Sequence, residues 1–170
     1  MKARSVFLTT LLCFAPTSVR SEEESSRPPL SDVHILVDKS ERRLVVFRGQ
    51  SIERIISISL GKNPEGPKER RGDGKTPEGE FQIAAKQSSA RYYRGLRISY
   101  PRTEDTQRAS RANVDPGGDI FIHGVRREAK RLEEAHRAFD WTDGCIAVTD
   151  AEMDDLWKLV TVGTKITIRP

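Results

Sequence analysis

Between Val33 and Ile168 the chain is cut into short β-branched runs by tight polar turns, and that segmentation limits its fold more than any other feature. Val33, Ile35 and Val37 alternate with His34, Leu36 and Asp38, a polar turn Lys39–Arg43 follows, and Leu44-Val45-Val46-Phe47 resumes the pattern. Arg48-Gly49-Gln50 turns the chain into Ile52–Leu60. Period-two alternation with short connections predicts antiparallel strands. The stretch 61–79, dense in Gly and Pro, predicts a loop. Phe81–Ala85, Leu96–Tyr100, Asp119–His123 and Lys165–Ile168 complete seven or eight short strands. Two helices are expected. Glu128–Phe139 places Ala129, Leu132, Ala135 and Phe139 at helical spacing. Thr149-Asp150-Ala151-Glu152 is a capping box that opens a helix bearing Met153, Leu156, Trp157 and Val160 on one side. The expectation is a mainly β domain of about 140 residues with two or three flanking helices, large enough for one core.

The N-terminus has a different character. Lys2 and Arg4 precede an apolar run from Val6 to Ala15, and Ser21–Ser26 is polar, the order of a secretory signal peptide. The run is far short of the ~20 residues needed to span a membrane. Val19 and Ser21 suit the −3 and −1 positions of a cleavage site, which predicts a signal peptide at 1–21, a Glu/Ser/Pro-rich linker at 22–32 and a catalytic domain at 33–170. Leu12 is too bulky for Cys13 to be a lipoprotein acylation site. The segment 1–21 holds three basic residues and no acid, so its removal lowers the formal net charge from +4 to +1. A nucleic-acid partner loses its electrostatic basis on that change. An exported protein with no integral membrane segment after processing, destined for the periplasm or cell envelope, is expected.

Processing also removes Cys13 and leaves Cys145 alone, so no internal disulfide can form. With His34, His123 and His136 as the only histidines, no zinc-ligand spacing exists, and neither a metal nor a cofactor is expected. His123 ends the apolar run Asp119–His123 immediately before Gly124, a position held by a sheet yet facing loops. Cys145 follows Gly144 in Asp140-Trp141-Thr142-Asp143-Gly144-Cys145-Ile146-Ala147-Val148. A glycine turn can aim several amides at one point. A cysteine there can have its thiolate stabilised by a histidine, with the same amides serving as an oxyanion hole. The arrangement parallels a Ser-His-Asp triad, with the Gly124 carbonyl able to fix the imidazole tautomer. Each residue also has a plain reading, as a small core cysteine and a hydrogen-bonded strand-end histidine.

Gly61-Lys62-Asn63-Pro64 leads through a basic run to Gly72-Asp73-Gly74-Lys75-Thr76-Pro77-Glu78-Gly79-Glu80-Phe81. With this segment, the Ile122-His123-Gly124 strand end and the Gly144-Cys145 turn in that order, residues 33–169 resemble the L,D-transpeptidase catalytic domain family of the YkuD type. The resemblance implies a β-sandwich or barrel-like fold and an exported enzyme acting on peptidoglycan stem peptides. It implies Cys145 as nucleophile, His123 as base, Gly124 as its carbonyl partner, and the amides of Gly144 and Cys145 as oxyanion donors. It also implies acylation by carbapenems. Trp141, Thr142 and Asp143 are the candidates for contacting the acyl donor, and Trp141 either lines that groove or packs beneath the turn. The Thr76-Pro77-x-Gly79 turn is expected to be structural.

The family pattern commonly has histidine where Asp143 stands and a polar residue where Ala147 stands. The form found here resembles a branch that includes enzymes hydrolysing the link between peptidoglycan and a wall-anchored lipoprotein. The acceptor is thus an amine or water, and an L,D-peptidase or amidase is the alternative. A non-catalytic wall-binding domain is the distant alternative, against which the presence of both Cys145 and His123 argues. Lys68-Glu69-Arg70-Arg71 and Arg126-Arg127 are expected to be solvated. Tyr92, Tyr93 and Tyr100 belong either to a lid or to the core.

Overall fold

The computed structural model describes residues 32–88, 92–125 and 135–170. The expected signal peptide, all but the last residue of the linker, and Arg126-Arg127 lie outside these residues.

Eight strands form one curled, mixed sheet: β1 (Val33–Asp38), β2 (Arg43–Arg48), β3 (Ser51–Ser57), β4 (Gly79–Ser88), β5 (Arg94–Ile98), β6 (Phe121–His123), β7 (Ile146–Ala147) and β8 (Lys165–Arg169). Their spatial order is β3-β2-β1-β8-β4-β5-β6-β7. The alternation in β1 works as expected, since Val33, Ile35 and Val37 are buried while His34 points outward onto the Phe47 ring at 4.7 Å. Burying one face of each strand fixes the register, because a slip of one residue would expose every apolar side chain.

Not every pairing is antiparallel. The β1–β8 and β6–β7 pairs are parallel, because β8 returns from the far end of the chain and β7 follows a crossover from β6. The expected strand Ile52–Leu60 is also divided. Ser51–Ser57 pair with β2, whereas Ser59 and Gly61 leave to bridge Ala147 and Thr142. That departure ties the glycine-rich loop to the cysteine turn.

The capping-box helix is α2 (Asp150–Leu159); Thr149 Oγ1 accepts from the Glu152 amide at 3.2 Å, and Glu152 Oε2 accepts from the Thr149 amide at 2.9 Å. Met153 and Leu156 are its fully buried residues. A helix that the apolar pattern did not signal, α1 (Thr103–Arg111), precedes it. Its buried carboxylate Asp105 accepts from the Arg102 amide at 3.0 Å and from the Arg102 and Arg108 guanidinium groups. A helix held by an ion cluster shows no apolar stripe to read. Of the expected helix Glu128–Phe139, residues 128–134 lie outside the described set; Ala135–Ala138 form a 3-10 turn and Phe139 is exposed. Among the described residues, no helix is long and apolar enough to cross a membrane.

The loop 61–79 is held by two buried lysines. Lys39 Nζ donates to the Gly66 carbonyl at 2.8 Å and pairs with Glu78 at 2.6 Å. Lys68, expected to be solvated, is instead buried and pairs with Asp73 at 2.7 Å. Asp73 also accepts from the amides of Glu69, Arg70 and Lys75. Burial pushes this carboxyl up, but the three amides and the Lys68 ammonium outweigh it and hold the group down at about 2. A depressed carboxylate contributes stability that is fully present above its ordinary value of ~3.9 and is lost as pH falls through the folded value. Melting temperature should therefore decline between about pH 4 and 2, and Asp73→Asn should flatten that limb. At neutral pH, Asp73→Ala should cost roughly 3–5 kcal/mol, because it leaves a buried ammonium unpaired; calorimetry at pH 7 measures it.

Candidate active site

The site forms where β6, the cysteine turn and the start of β5 meet. β6 ends at His123, which is 2% exposed, and parallel pairing sets Ile122 beside Ile146 and His123 beside Ala147. The Val148 amide donates to the His123 carbonyl at 3.0 Å. The histidine backbone is thereby fixed to the segment that follows the cysteine.

The turn before Cys145 is built from inside. Thr142, 4% exposed, donates through Oγ1 to the Cys145 carbonyl at 2.7 Å and accepts from the Gly144 amide at 3.1 Å. Its backbone pairs with the Gly61 region: Thr142 N donates to Leu60 O at 3.1 Å, and Lys62 N to Thr142 O at 2.9 Å. Asp140 holds the entry to the turn, accepting from the Leu60 amide at 2.8 Å and from Arg42. Gly144 sits at φ 129°, and a β-carbon there would come 2.5 Å from the Lys75 carbonyl oxygen, so the turn demands glycine. Thr76 is fully buried and accepts from the Gly61 amide at 3.1 Å, which is the structural part expected of the Thr-Pro segment.

Cys145 and His123 line one cleft of about 260 Å3, together with Gln87, Tyr92, Gly95, Asp119 and Phe121. The Gly124 carbonyl lies 2.7 Å from His123 Nδ1. A carbonyl only accepts, so Nδ1 carries the proton and Nε2 presents a lone pair. The imidazole packs against Tyr92 at 4.2 Å between ring centroids and meets the Trp141 ring at 5.9 Å, nearly edge-on. The Cys145 thiol faces the Asp119 carbonyl at 3.6 Å. Burial pushes this thiol up, a backbone hydrogen bond at Phe121 opposes the shift, and the Asp143 carboxylate adds to it. These surroundings favour the thiol over the thiolate.

Several sequence candidates separate here. Trp141 belongs to the wall around His123, and Asp143 is exposed at the rim, paired with Lys62 at 2.9 Å. Thr142 spends its hydroxyl within the turn. The Gly144 amide is likewise engaged by Thr142, which makes the Cys145 amide the donor better placed to meet an oxyanion. Among the tyrosines, Tyr92 faces the site, Tyr93 donates to Asp154 at 2.8 Å, and Tyr100 is core, its hydroxyl on the Pro116 carbonyl. Asp119 and Asp140 were not among the sequence candidates. Asp119 adopts φ 53°, a region that aspartate tolerates better than most residues, and the preceding Gly117-Gly118 was the signal of an irregular backbone there. Asp140 gave no comparable signal.

Residues 32–168 match the L,D-transpeptidase catalytic domain family, YkuD. YafK of Escherichia coli strain K12, provisionally designated an L,D-transpeptidase, is 29% identical over 151 residues, which cover 85% of this chain and 54% of YafK. YqjB of Bacillus subtilis strain 168, with the same provisional designation, is 29% identical over 145 residues, 83% of this chain and 73% of YqjB. The chain thus spans about half the length of YafK. The helical cell shape determining protein Pgp2 from Campylobacter jejuni superposes with a TM-score of 0.63 at 23% identity, covering 81% of this chain and 47% of Pgp2. That likeness is one of fold.

Proposed function

The chain belongs to the L,D-transpeptidase catalytic domain family, and on that premise we propose that it is an exported cysteine acyl-transferase acting on peptidoglycan stem peptides. The observation that carries this reading is the shared cleft of Cys145 and His123, with the imidazole held by the Gly124 carbonyl so that Nε2 is the basic atom. The Cys145 proton moves to His123 Nε2 as sulfur attacks the carbonyl carbon of the diamino-acid residue, in the amide that joins it to the terminal D-alanine. The oxyanion meets the Cys145 amide, assisted by Gly144 wherever substrate draws that amide from Thr142. Collapse breaks the C–N bond, and His123 returns its proton to the departing D-alanine amine. The resulting thioester then passes its acyl group to an amine of a second stem, regenerating the thiol. Trp141 and Tyr92 flank the imidazole and offer apolar surface to the donor.

Water as acceptor is the second reading. Ala147 is fully buried and Asp143 is engaged by Lys62, so neither position offers a free base or donor to an incoming amine. Positioning of the acceptor is what converts hydrolysis into transfer. On this reading hydrolysis of stem peptides, or of their links to a wall-anchored lipoprotein, forms a substantial part of turnover. The test is a partition measurement with a fixed tetrapeptide donor and rising concentrations of a diamino-acid stem. Trimmed monomer that persists at low acceptor is the expected result. Nearly complete conversion to cross-linked dimer at low acceptor would identify a plain transpeptidase, and no change in the fragments would leave neither activity standing.

A further inference from the structure

We propose that Asp150 is a positioning residue for His123, acting through Gly124; the proposal rests on His123 being the base of the reaction above. The Gly124 carbonyl holds the imidazole at Nδ1, between the Tyr92 and Trp141 rings. Gly124 follows the last residue of β6, and the hydrogen bond its amide donates, to the Arg94 carbonyl at 3.3 Å, is long. What confines this residue is packing. A β-carbon on Gly124 would strike Asp150 Oδ1, with the Tyr92 carbonyl oxygen 3.5 Å from the same point. At this strand end any larger residue would displace the Asp150 carboxylate, and no unusual φ is involved.

Asp150 is well placed to hold that position. It is the first residue of α2, whose start is locked by the Thr149–Glu152 capping box and joined to β6 by the bond from Val148 N to His123 O. Both of its carboxylate oxygens are closed off from solvent. The positive end of the helix favours a negative charge there, and a charge shielded from water acts over a longer reach. When His123 takes the Cys145 proton, the new imidazolium lies one residue from this carboxylate. The ionisable groups around the pair, among the described residues, are Cys145, Asp119 and Tyr92 on the cleft side, and Asp150 with Tyr93, Arg94 and Asp154 behind it. Asp119 and Asp143 lie nearer the sulfur, where their charge opposes thiolate formation, whereas Asp150 meets Gly124, the residue whose carbonyl holds the imidazole.

The test compares Asp150→Asn, which keeps the shape and removes the charge, with Asp150→Ser, which suits the first turn of a helix and removes both. In each folded variant the acylation rate should fall about tenfold, a fraction of the ~10²–10⁴-fold supplied by general-base catalysis, with KM unchanged. The Nδ1-bound proton of His123, followed in 15N-edited spectra, should lose protection from exchange in both. A variant with a lower melting temperature, but a wild-type rate per folded molecule and an unaltered His123 resonance, would overturn the proposal, as would an effect confined to KM. His123→Ala is measured alongside. Wild-type acylation by His123→Ala would remove the base assignment itself, whereas a dead His123→Ala beside a fully active Asp150→Asn would remove only the positioning role.

Discussion

Cys145→Ala should abolish turnover on tetrapeptide donors and leave the fold intact. The backbone carbonyl of Cys145, not its side chain, anchors the turn through Thr142, so alanine keeps that hydrogen bond. The side chain makes a long contact with the Asp119 carbonyl and a backbone hydrogen bond at Phe121, and their loss costs the fold little. Chemically nothing replaces it, because the other cysteine, Cys13, lies within the expected signal peptide. Cys145→Ser should be as inactive. A buried site that already disfavours the thiolate disfavours an alkoxide far more, and serine starts from a much less acidic group. A carbapenem should add one covalent mass to the wild-type chain and none to either variant, read by intact-mass spectrometry. An adduct of equal yield on Cys145→Ala would refute the assignment.

The second large effect belongs to His123. Its replacement by alanine should lower acylation by ~10²–10⁴-fold, the usual contribution of a general base. The reason is the state of the sulfur. Burial favours the thiol form of Cys145, so its proton must leave as the bond forms, and His123 is the base we propose in the cleft. Because the imidazole also fills space between Tyr92 and Trp141, His123→Gln separates chemistry from packing; it retains a polar side chain of similar size and should lose as much activity. His34→Ala and His136→Ala are the controls. His34 stacks on Phe47 at the outer face of β1, away from the cleft, and its loss should leave acylation within about twofold of wild type. Equal damage from His136→Ala in a folded protein would mean that the base lies elsewhere.

The two candidate reacting groups, which the structure brings to one cleft, were legible in the sequence because each stands in a rigid local context: an apolar strand that ends in His-Gly, and a glycine turn before the cysteine. The strands of the sheet were legible for a similar reason, since period-two alternation in Val33–Val37 and Lys165–Ile168 maps onto one buried face. Features set by long-range polar contacts were not. The helix Thr103–Arg111 is built around buried Asp105 and reads as a charged loop. Lys68 looks like one of four solvated charges until Asp73 closes over it. The break of Ile52–Leu60 at Ile58 has no local cause, because Ser59 and Gly61 are drawn off by Ala147 and Thr142 more than eighty residues away. The three tyrosines likewise separate only once their partners are in place. Local pattern picked out the candidate nucleophile and base; the Asp140, Thr142 and Asp73 contacts that hold the turn and its neighbouring loop are tertiary and needed the fold.

The most direct measurement is capture of the acyl-enzyme itself. Purified protein mixed with a defined tetrapeptide stem and quenched in acid within the first turnovers should carry the mass of the tripeptide acyl group, with release of one D-alanine per adduct. Peptide mapping should locate the added mass on the segment containing Cys145, and hydroxylamine at neutral pH should remove it, as expected of a thioester. Product formation with no thioester on the wild-type chain, or the same adduct on Cys145→Ala, would contradict covalent catalysis at this cysteine.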